Sequence, residues 1–165
     1  MIRFFGGRVM TLANGIETQD IEVWTEGSKI VFVGKPTAEE LDGKVFEREY
    51  DLKGNLLMPS FKNAHTHSAM TFLRSYADDM PLQDWLFKQI FPMEAKLDGE
   101  KVYWLTKLAI LEYLTTGCTA AFDMYFELDD YVKACVESGF RSVLCGAVSG
   151  DKSNLERLEN NYLKY

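Results

Sequence analysis

The pattern of apolar and polar positions changes near residue 54. Before it, short alternating runs are separated by turns that contain glycine, as in DIEVWTEGSKIVFVGK, where two runs meet at EGSK. Alternation with a period of two is typical of strands with one buried face, and a glycine-containing break between two such runs predicts a hairpin. Residues 1–54 are therefore predicted to form a small antiparallel β segment, too short to close a sandwich alone.

After residue 54 the pattern predicts strands and helices in alternation. The apolar runs LLMPSF, CTAAFDMYF and FRSVLCGAV are typical of buried strands. Helical periodicity occurs in PLQDWLFKQIFPMEAKL, DGEKVYWLTKLAILEYLTTG, ELDDYVKACVESG and SNLERLENNYLKY. Because such alternation is typical of parallel β/α units, the chain is predicted to be an α/β protein with two parts, residues 1–54 and 55–165.

Charge and composition exclude several kinds of partner. The chain has 165 residues and a net charge of -7, and its basic residues form no stripe, which disfavours nucleic acid or an anionic membrane. No apolar run reaches the ~18 residues that span a bilayer, and the N-terminus has no signal-peptide pattern. We therefore predict a cytoplasmic protein. Its cysteines are predicted to be buried free thiols, since none has C-x-x-C spacing.

The chain has only two histidines, His65 and His67, and both directly follow a predicted buried strand. On a strand, residues two apart point the same way and lie ~6.6 Å apart, so their imidazoles can converge on one metal ion. They also lie at the carboxyl end of a parallel strand, where α/β proteins place active sites. The spacing alone fits two interpretations, a metal pair or ordinary polar residues where a strand meets a loop.

Four segments resemble a known superfamily in their order and spacing between Gly54 and about Phe126. They are MPSFKNAHTH, AMTFLRSYADDMPLQDWL, FPMEAKL and TTGCTAAFDMYF. They resemble the amidohydrolases, and most of all the metal-dependent deaminases of S-adenosylhomocysteine, 5'-methylthioadenosine and adenosine, a group that includes triazine hydrolases. The resemblance implies a TIM (β/α)8 barrel, preceded by a small β segment of a composite β-sandwich domain that later strands complete.

The resemblance also implies roles for individual residues. His65 and His67 match two ligands of a divalent metal, which is zinc in most relatives and iron or manganese in some. Trp85 matches an aromatic residue that closes over the substrate, and Glu94 matches a carboxylate that binds the ribose hydroxyls. Arg157 resembles an arginine that contacts the anionic tail of the substrate. From the residues alone, these last three also fit a packed tryptophan, a solvated carboxylate and an exposed helix arginine.

Two further positions qualify the resemblance. Asp123 lies at the end of the second predicted strand, and we interpret it as a structural group facing the barrel mouth and not as a metal ligand. Cys145 and Gly146 lie where some relatives carry another substrate-binding arginine. The preference for a carboxylate or a plain thioether tail therefore stays open.

The length of the chain limits what it can do alone. A β/α barrel needs ~250 residues, so this chain has room for about three of the eight β/α units. A catalytic zinc usually has three protein ligands, whereas this chain offers two histidines. The resemblance assigns the other ligands, a His and an Asp, and a proton-shuttling Glu to later strands. We predict the N-terminal portion of a longer enzyme, inactive alone, which self-associates or pairs with the remaining part.

The predicted activity of the intact enzyme is hydrolytic deamination of adenine nucleosides, which releases ammonia. One alternative is another amidohydrolase, such as a guanine or cytosine deaminase or a triazine hydrolase. Glu94 and Trp85 favour a ribosyl substrate over a free base, through the resemblance alone. A second alternative is a non-catalytic metal-binding or assembly module that kept the first strands of the barrel.

Overall fold

The structure is a computed structural model that describes residues 1–13, 15–146, 156, 159 and 160. It divides into two compact units, Met1–Pro59 and Ser60–Tyr165. Most of the predicted final helix lies outside the described residues, although residues 156, 159 and 160 are helical.

The N-terminal unit contains two small sheets and one short helix. Its strands are β1 (Ile2–Phe5), β2 (Arg8–Met10), β3 (Thr18–Gln19), β4 (Glu22–Glu26), β5 (Lys29–Gly34), β6 (Arg48–Asp51) and β7 (Leu56–Leu57), and its helix is α1 (Ala38–Leu41). The sheet orders are β5-β4-β1-β6 and β3-β2-β7. Strands β4 and β5 form the antiparallel hairpin that the alternating pattern predicts.

The prediction of a wholly antiparallel segment is wrong. Strand β1 pairs in parallel with β6, and β2 pairs in parallel with β7. Both late strands come after the connection through α1, which returns the chain to the sheets in the direction of β1 and β2. A period-two pattern shows which face of a strand is buried, but it does not show the direction of the partner strand.

The apolar run LLMPSF is not one buried strand, as predicted, but is divided between the two units. Leu56–Leu57 forms β7, and Phe61 begins the next strand. Pro59 lies between them and has no backbone N–H to donate to a ladder. The side chains of Leu56 and Phe61 are both exposed. The division therefore comes at Pro59, later than the predicted boundary after residue 54.

A Gly-Gly pair separates β1 from β2 because the backbone passes very close to the segment before β7. The Gly6 φ angle is 70°. A Cβ atom on Gly7 would lie 2.4 Å from the carbonyl oxygen of Asn55. The neighbouring Arg8 N–H donates to that same oxygen at 3.1 Å, so a side chain at residue 7 would displace a hydrogen-bonded backbone.

An ion cluster centred on Arg3 connects three strands of the larger sheet. The Arg3 guanidinium donates to both carboxylate oxygens of Glu22, at 2.7 and 2.6 Å, and to Glu49 at 3.0 Å. It also lies over the Phe5 ring, 4.7 Å from the ring centroid. The Trp24 indole N–H donates to Glu22 at 2.9 Å. The hydrogen bonds from Arg3 hold the pKa of Glu22 below its ordinary value.

The C-terminal unit alternates strands and helices, which confirms the α/β prediction. Its strands are β8 (Phe61–Thr66), β9 (Cys118–Met124) and β10 (Arg141–Cys145), and its helices are α2 (Leu82–Asp84), α3 (Phe91–Glu94), α4 (Gly99–Thr115) and α5 (Leu128–Ser138). A 3-10 turn, Ser68–Leu73, follows β8, and a π-helical turn, Trp85–Ile90, joins α2 to α3. The strands form a parallel sheet in the order β10-β9-β8.

The core of this unit lies between one face of the sheet and the helices. Val102 and Ile110 of α4, Tyr131 of α5 and Phe140 before β10 are buried together with Ala121 of β9. The alternate residues of β9 and β10 point to the opposite face. There the apolar side chains of Phe122, Met124 and Val143 are exposed. The sheet therefore has one covered apolar face and one open apolar face.

No helix in the described part of the chain is long and apolar enough to cross a membrane.

Substitution of Glu22 by glutamine is expected to destabilise the N-terminal unit by about 1–2 kcal/mol, since it removes a two-bond interaction between charged groups. Glu49→Gln is the matched control, because Glu49 makes one bond to Arg3 and is half exposed; its expected loss is under about 1 kcal/mol. Urea unfolding measures both. Equal losses would contradict a dominant role for Glu22.

The lowered pKa of Glu22 also predicts the direction of pH dependence. The pKa of Glu22 is lower in the folded state than in the unfolded state, where it is about 4.3. The ionised carboxylate therefore stabilises the folded state at pH values above the unfolded pKa. This stabilisation is lost as the pH falls through the folded pKa. The difference in unfolding free energy between wild type and Glu22→Gln should therefore be full at pH 7 and shrink towards pH 3.

Candidate metal and substrate site

The candidate site lies at one edge of the parallel sheet, where strands β8 and β9 end. Thr66, the last residue of β8, is in register with Asp123 near the end of β9. The carboxyl ends of both strands therefore lie side by side. His65 and His67 stand at the end of β8, and Tyr125 directly follows β9.

The two imidazole rings lie close enough to share a ligand. Their centroids are 5.2 Å apart, with an angle of 78° between the ring planes. The His67 Nδ1 lies 2.8 Å from the backbone oxygen of Met124. A hydrogen bond to a carbonyl requires the proton on Nδ1, which leaves the Nε2 lone pair free to bind a metal.

This donor set fits part of a metal site. Imidazole nitrogens are suitable ligands for a divalent transition metal, and the contact with the Met124 carbonyl orients one of the two rings. Over residues 1–13 and 15–146, however, there is no group of three or more His, Cys, Asp or Glu residues that could hold such an ion. The described residues therefore supply two ligand positions.

Asp123 contacts the turn that follows His67. It is only 1% exposed, and its carboxylate accepts the Ser68 backbone N–H at 3.3 and 3.2 Å. Burial raises the pKa of Asp123, while the hydrogen bonds from Ser68 oppose that shift. This position agrees with a structural role for Asp123, which anchors the chain just after the histidine pair.

A cavity of about 330 Å³ begins beside the end of β9. Its lining is mainly apolar and includes Phe91, Leu97 and Val102, together with the carboxylate of Glu94 and the ring of Tyr125. Burial raises the pKa of Glu94, against the opposing influence of Tyr125 and the charge of His67. Glu94 is thus a partly buried carboxylate within electrostatic range of His67.

The hydroxyl of Tyr125 is the unexpected group in this cavity. Tyr125 is 4% exposed, and its hydroxyl has no hydrogen-bond partner with standard geometry among the residues that the structure describes. Burial, followed by the negative charge of nearby Glu94, raises its pKa. The two groups are therefore close enough to influence each other but not aligned for a good hydrogen bond.

The remaining predicted substrate residues are placed differently. Trp85 begins the π-helical turn and is partly buried, but it does not line the cavity of Glu94. Arg157 lies outside the described residues. The structure therefore places His67 near both His65 and Glu94, and Trp85 lies on the π-helical turn outside the lining of the Glu94 cavity.

Sequence reasoning missed Tyr125 and Tyr113. The position of Tyr125 near the end of the predicted strand CTAAFDMYF was a usable signal, since it places the residue close to the carboxyl edge of the sheet. Burial of its hydroxyl beside Glu94 is not visible in the sequence. Tyr113, on α4, reaches the end of β8 through contacts that join residues 45 and 47 positions apart.

Comparisons with known proteins place the chain among hydrolases. The profile of the amidohydrolase family matches residues 56–164. A 5-methylthioadenosine/S-adenosylhomocysteine deaminase of Desulfitobacterium hafniense is 42% identical over 136 residues, covering 82% of this chain and 31% of the relative. A 5'-deoxyadenosine deaminase of Methanospirillum hungatei is 52% identical over 108 residues, covering 64% and 24%.

A solved structure gives the same picture for the fold. An adenosine deaminase from Xanthomonas campestris with bound zinc superposes with a TM-score of 0.82 at 26% identity, covering 99% of this chain and 47% of that one. The match extends over both units and confirms the prediction of a TIM barrel. This chain contains the described β/α units of that barrel. The chain spans about a third or less of the length of the two curated relatives.

Glu94→Gln is expected to stabilise the chain at neutral pH. A carboxyl group whose pKa is raised by folding destabilises the folded state as pH rises above its unfolded pKa of about 4.3. The melting temperature of Glu94→Gln should exceed that of wild type at pH 7, and the difference should vanish near pH 4. Thermal unfolding followed by circular dichroism measures both.

Glu127→Gln is the control for this experiment, because Glu127 lines the same cavity but is exposed. A Glu94→Gln variant that is less stable than wild type at pH 7 would show that the carboxylate is not under a burial penalty.

Proposed function

The chain belongs to the amidohydrolase family, and from that premise we propose that it forms part of an enzyme that hydrolytically deaminates adenine nucleosides. The observation that carries the proposal is the histidine pair at the carboxyl edge of the sheet, next to the partly buried Glu94. The names of the two curated relatives favour 5'-methylthioadenosine, S-adenosylhomocysteine and 5'-deoxyadenosine as substrates over a free base.

In this proposal His65 and His67 hold a divalent metal. Zinc is favoured over iron or manganese because neutral imidazoles suit it and because the similar Xanthomonas structure has zinc bound. Such an ion would supply a water molecule whose pKa is lowered towards ~7. The hydrogen bond from His67 Nδ1 to the Met124 carbonyl orients one of the two ligands for this purpose.

Glu94 is proposed to bind the ribose. An ionised carboxylate has only acceptor sites, so it can accept from both hydroxyls of a vicinal diol. The apolar walls formed by Phe91 and Leu97 suit the less polar face of a nucleoside. Trp85 is proposed to close over the substrate from the π-helical turn, and Arg157 to contact an anionic tail.

Deamination replaces the exocyclic amino group of the purine with oxygen from water and releases ammonia. We propose that the chain provides two ligands of the divalent metal and one contact to the ribose. Its contribution is then to hold the metal and the nucleoside near each other. A further ligand and an acid–base group are needed for turnover. The purified chain alone is therefore expected to show no deaminase activity.

A chimeric enzyme tests this proposal directly. The matching 136-residue segment of the Desulfitobacterium relative would be replaced by that of this chain. The chimera is expected to bind zinc and to release ammonia from 5'-methylthioadenosine and S-adenosylhomocysteine in preference to guanine. A folded, zinc-loaded chimera without this activity would contradict the proposal, and preference for guanine would favour a base deaminase.

Single substitutions in the chimera test the residues. Glu94→Gln removes a charged acceptor worth about 1.5–3 kcal/mol, which corresponds to roughly a 10- to 150-fold loss of kcat/KM on ribosyl substrates. His67→Asn should abolish both activity and zinc binding. Glu100→Gln, at an exposed position in the first turn of α4, is the control and should retain activity.

The open apolar face of the sheet predicts that the purified chain self-associates. Phe122, Met124 and Val143 are exposed on it, and we propose that further β/α units of the same barrel cover this face in the intact enzyme. Val143→Lys should weaken self-association in sedimentation velocity. Val136→Lys is the control, because Val136 is 73% exposed on α5. A wild-type chain that stays monomeric at high concentration would contradict this.

A further inference from the structure

We propose that Tyr113 is a positioning residue for the metal site, because its hydroxyl binds the residues on both sides of His67. The three residues Thr66, Ser68 and Tyr113 are called the Tyr113 clamp below. The inference rests on the proposed role of His67 as a metal ligand. The contacts that support it, however, are all within the protein.

His67 needs support because it lies beyond the regular part of its strand. Thr66 is the last residue of β8 that pairs with β9, and the register is irregular between Asn63 and Thr66. At His67 the backbone leaves the strand, with φ and ψ of -134° and 76°, and the 3-10 turn begins. The interstrand ladder therefore does not determine the position of the His67 ring.

The Tyr113 clamp supplies that support. The Tyr113 hydroxyl lies 2.5 Å from Thr66 Oγ1 and 2.9 Å from Ser68 Oγ. A phenol hydroxyl has one proton and can also accept, so it can bond to both neighbours at once. Because Thr66 and Ser68 flank His67 in the chain, these two bonds fix the peptide groups from which its ring projects.

The clamp is itself attached to the core. The Tyr113 ring stacks on Phe140, with centroids 5.5 Å apart and 22° between the planes, and Phe140 is a buried core residue. Side chains of a helix lean towards its N-terminus, which carries the hydroxyl from near the end of α4 towards the end of β8. The Asp123 carboxylate accepts a hydrogen bond from the Ser68 backbone N–H.

A positioning role differs from a purely structural one in its effect on the His67 ring. If the clamp orients the His67 ring, removal of the clamp should weaken the hydrogen bond from Nδ1 to the Met124 carbonyl and produce a mixture of the two tautomers. If Tyr113 only stabilises the fold, its loss should lower the melting temperature and leave the tautomer unchanged. The chain has two histidines, so a single His65→Asn variant assigns both sets of ring signals.

The test compares Tyr113→Phe with Tyr103→Phe in the full chain at pH 8, using long-range ¹H–¹⁵N spectra. Tyr103 lies on the same helix, and its hydroxyl donates to Glu137 at 2.5 Å, so it controls for the loss of one hydroxyl. We expect His67 to move from one tautomer to a mixture in Tyr113→Phe only. The His65 signals should remain as in wild type.

Threonine variants provide a second test that leaves the Tyr113–Phe140 stack intact. Thr66→Val removes the hydroxyl and keeps the shape, and Thr66→Ser keeps the hydroxyl. Thr66→Val should reproduce the tautomer mixture, and Thr66→Ser should retain the wild-type signal. This pair decides the question if Tyr113→Phe does not fold.

Zinc affinity links the clamp to the proposed function. Loss of an orienting hydrogen bond typically weakens metal binding 10- to 100-fold, so competition titration should show at least a roughly tenfold weaker affinity in Thr66→Val. An unchanged His67 tautomer in folded Tyr113→Phe and Thr66→Val would overturn the inference. A changed tautomer in the chain, together with unchanged zinc affinity of the chimeric enzyme carrying Thr66→Val, would support the clamp and count against the proposed role of His67 as a metal ligand.

Discussion

Parallel pairing of β8 with β9 forces the carboxyl ends of both strands to the same edge of the sheet. The groups of the candidate site that lie on or next to these two strands depend on this alignment. It places the histidine pair beside the Met124 carbonyl and sets Asp123 under the turn that follows. An antiparallel partner would put these residues at opposite ends of the sheet, and neither the hydrogen bond from His67 nor the support from Asp123 could form.

Several polar groups near this edge are buried, and burying a polar group costs free energy unless the group is hydrogen-bonded. Asp123 meets that condition through Ser68, and Tyr131 does so through Ser142 at 2.6 Å. Burial raises the pKa of both groups, so the region favours neutral side chains. Tyr125 is different, because its buried hydroxyl has no partner of standard geometry within the described residues, although it lines the cavity of Glu94.

The sequence predicted the features that depend on local pattern. Helical periodicity located α4 and α5, alternation located the hairpin of β4 and β5, and the position of His65 and His67 after an apolar run located the site edge. Resemblance then added the family, which the match over residues 56–164 confirms, and a role for Glu94 that stays a prediction. The predictions of the two helices and the hairpin are confirmed because each rests on residues that are close together in the chain.

Features that depend on distant residues could not be predicted. The parallel directions of β6 and β7 follow from how the chain returns past α1, which alternation does not record. The division of LLMPSF at Pro59 depends on which sheet each half can join. The contact of Tyr113 with Thr66 joins residues 47 positions apart, and neither residue type by itself indicates a link to a metal site.

The parallel strands of the N-terminal unit have a consequence for synthesis on the ribosome. Its last two strands, β6 and β7, pair with its first two, β1 and β2, so the larger sheet lacks a strand until residue 51 has been made and the smaller one until residue 57. Domains generally fold in order from the N-terminus as they emerge. These two pairings can therefore form just as β8 begins to leave the exit tunnel, before β9 exists to pair with the strand that carries the histidines.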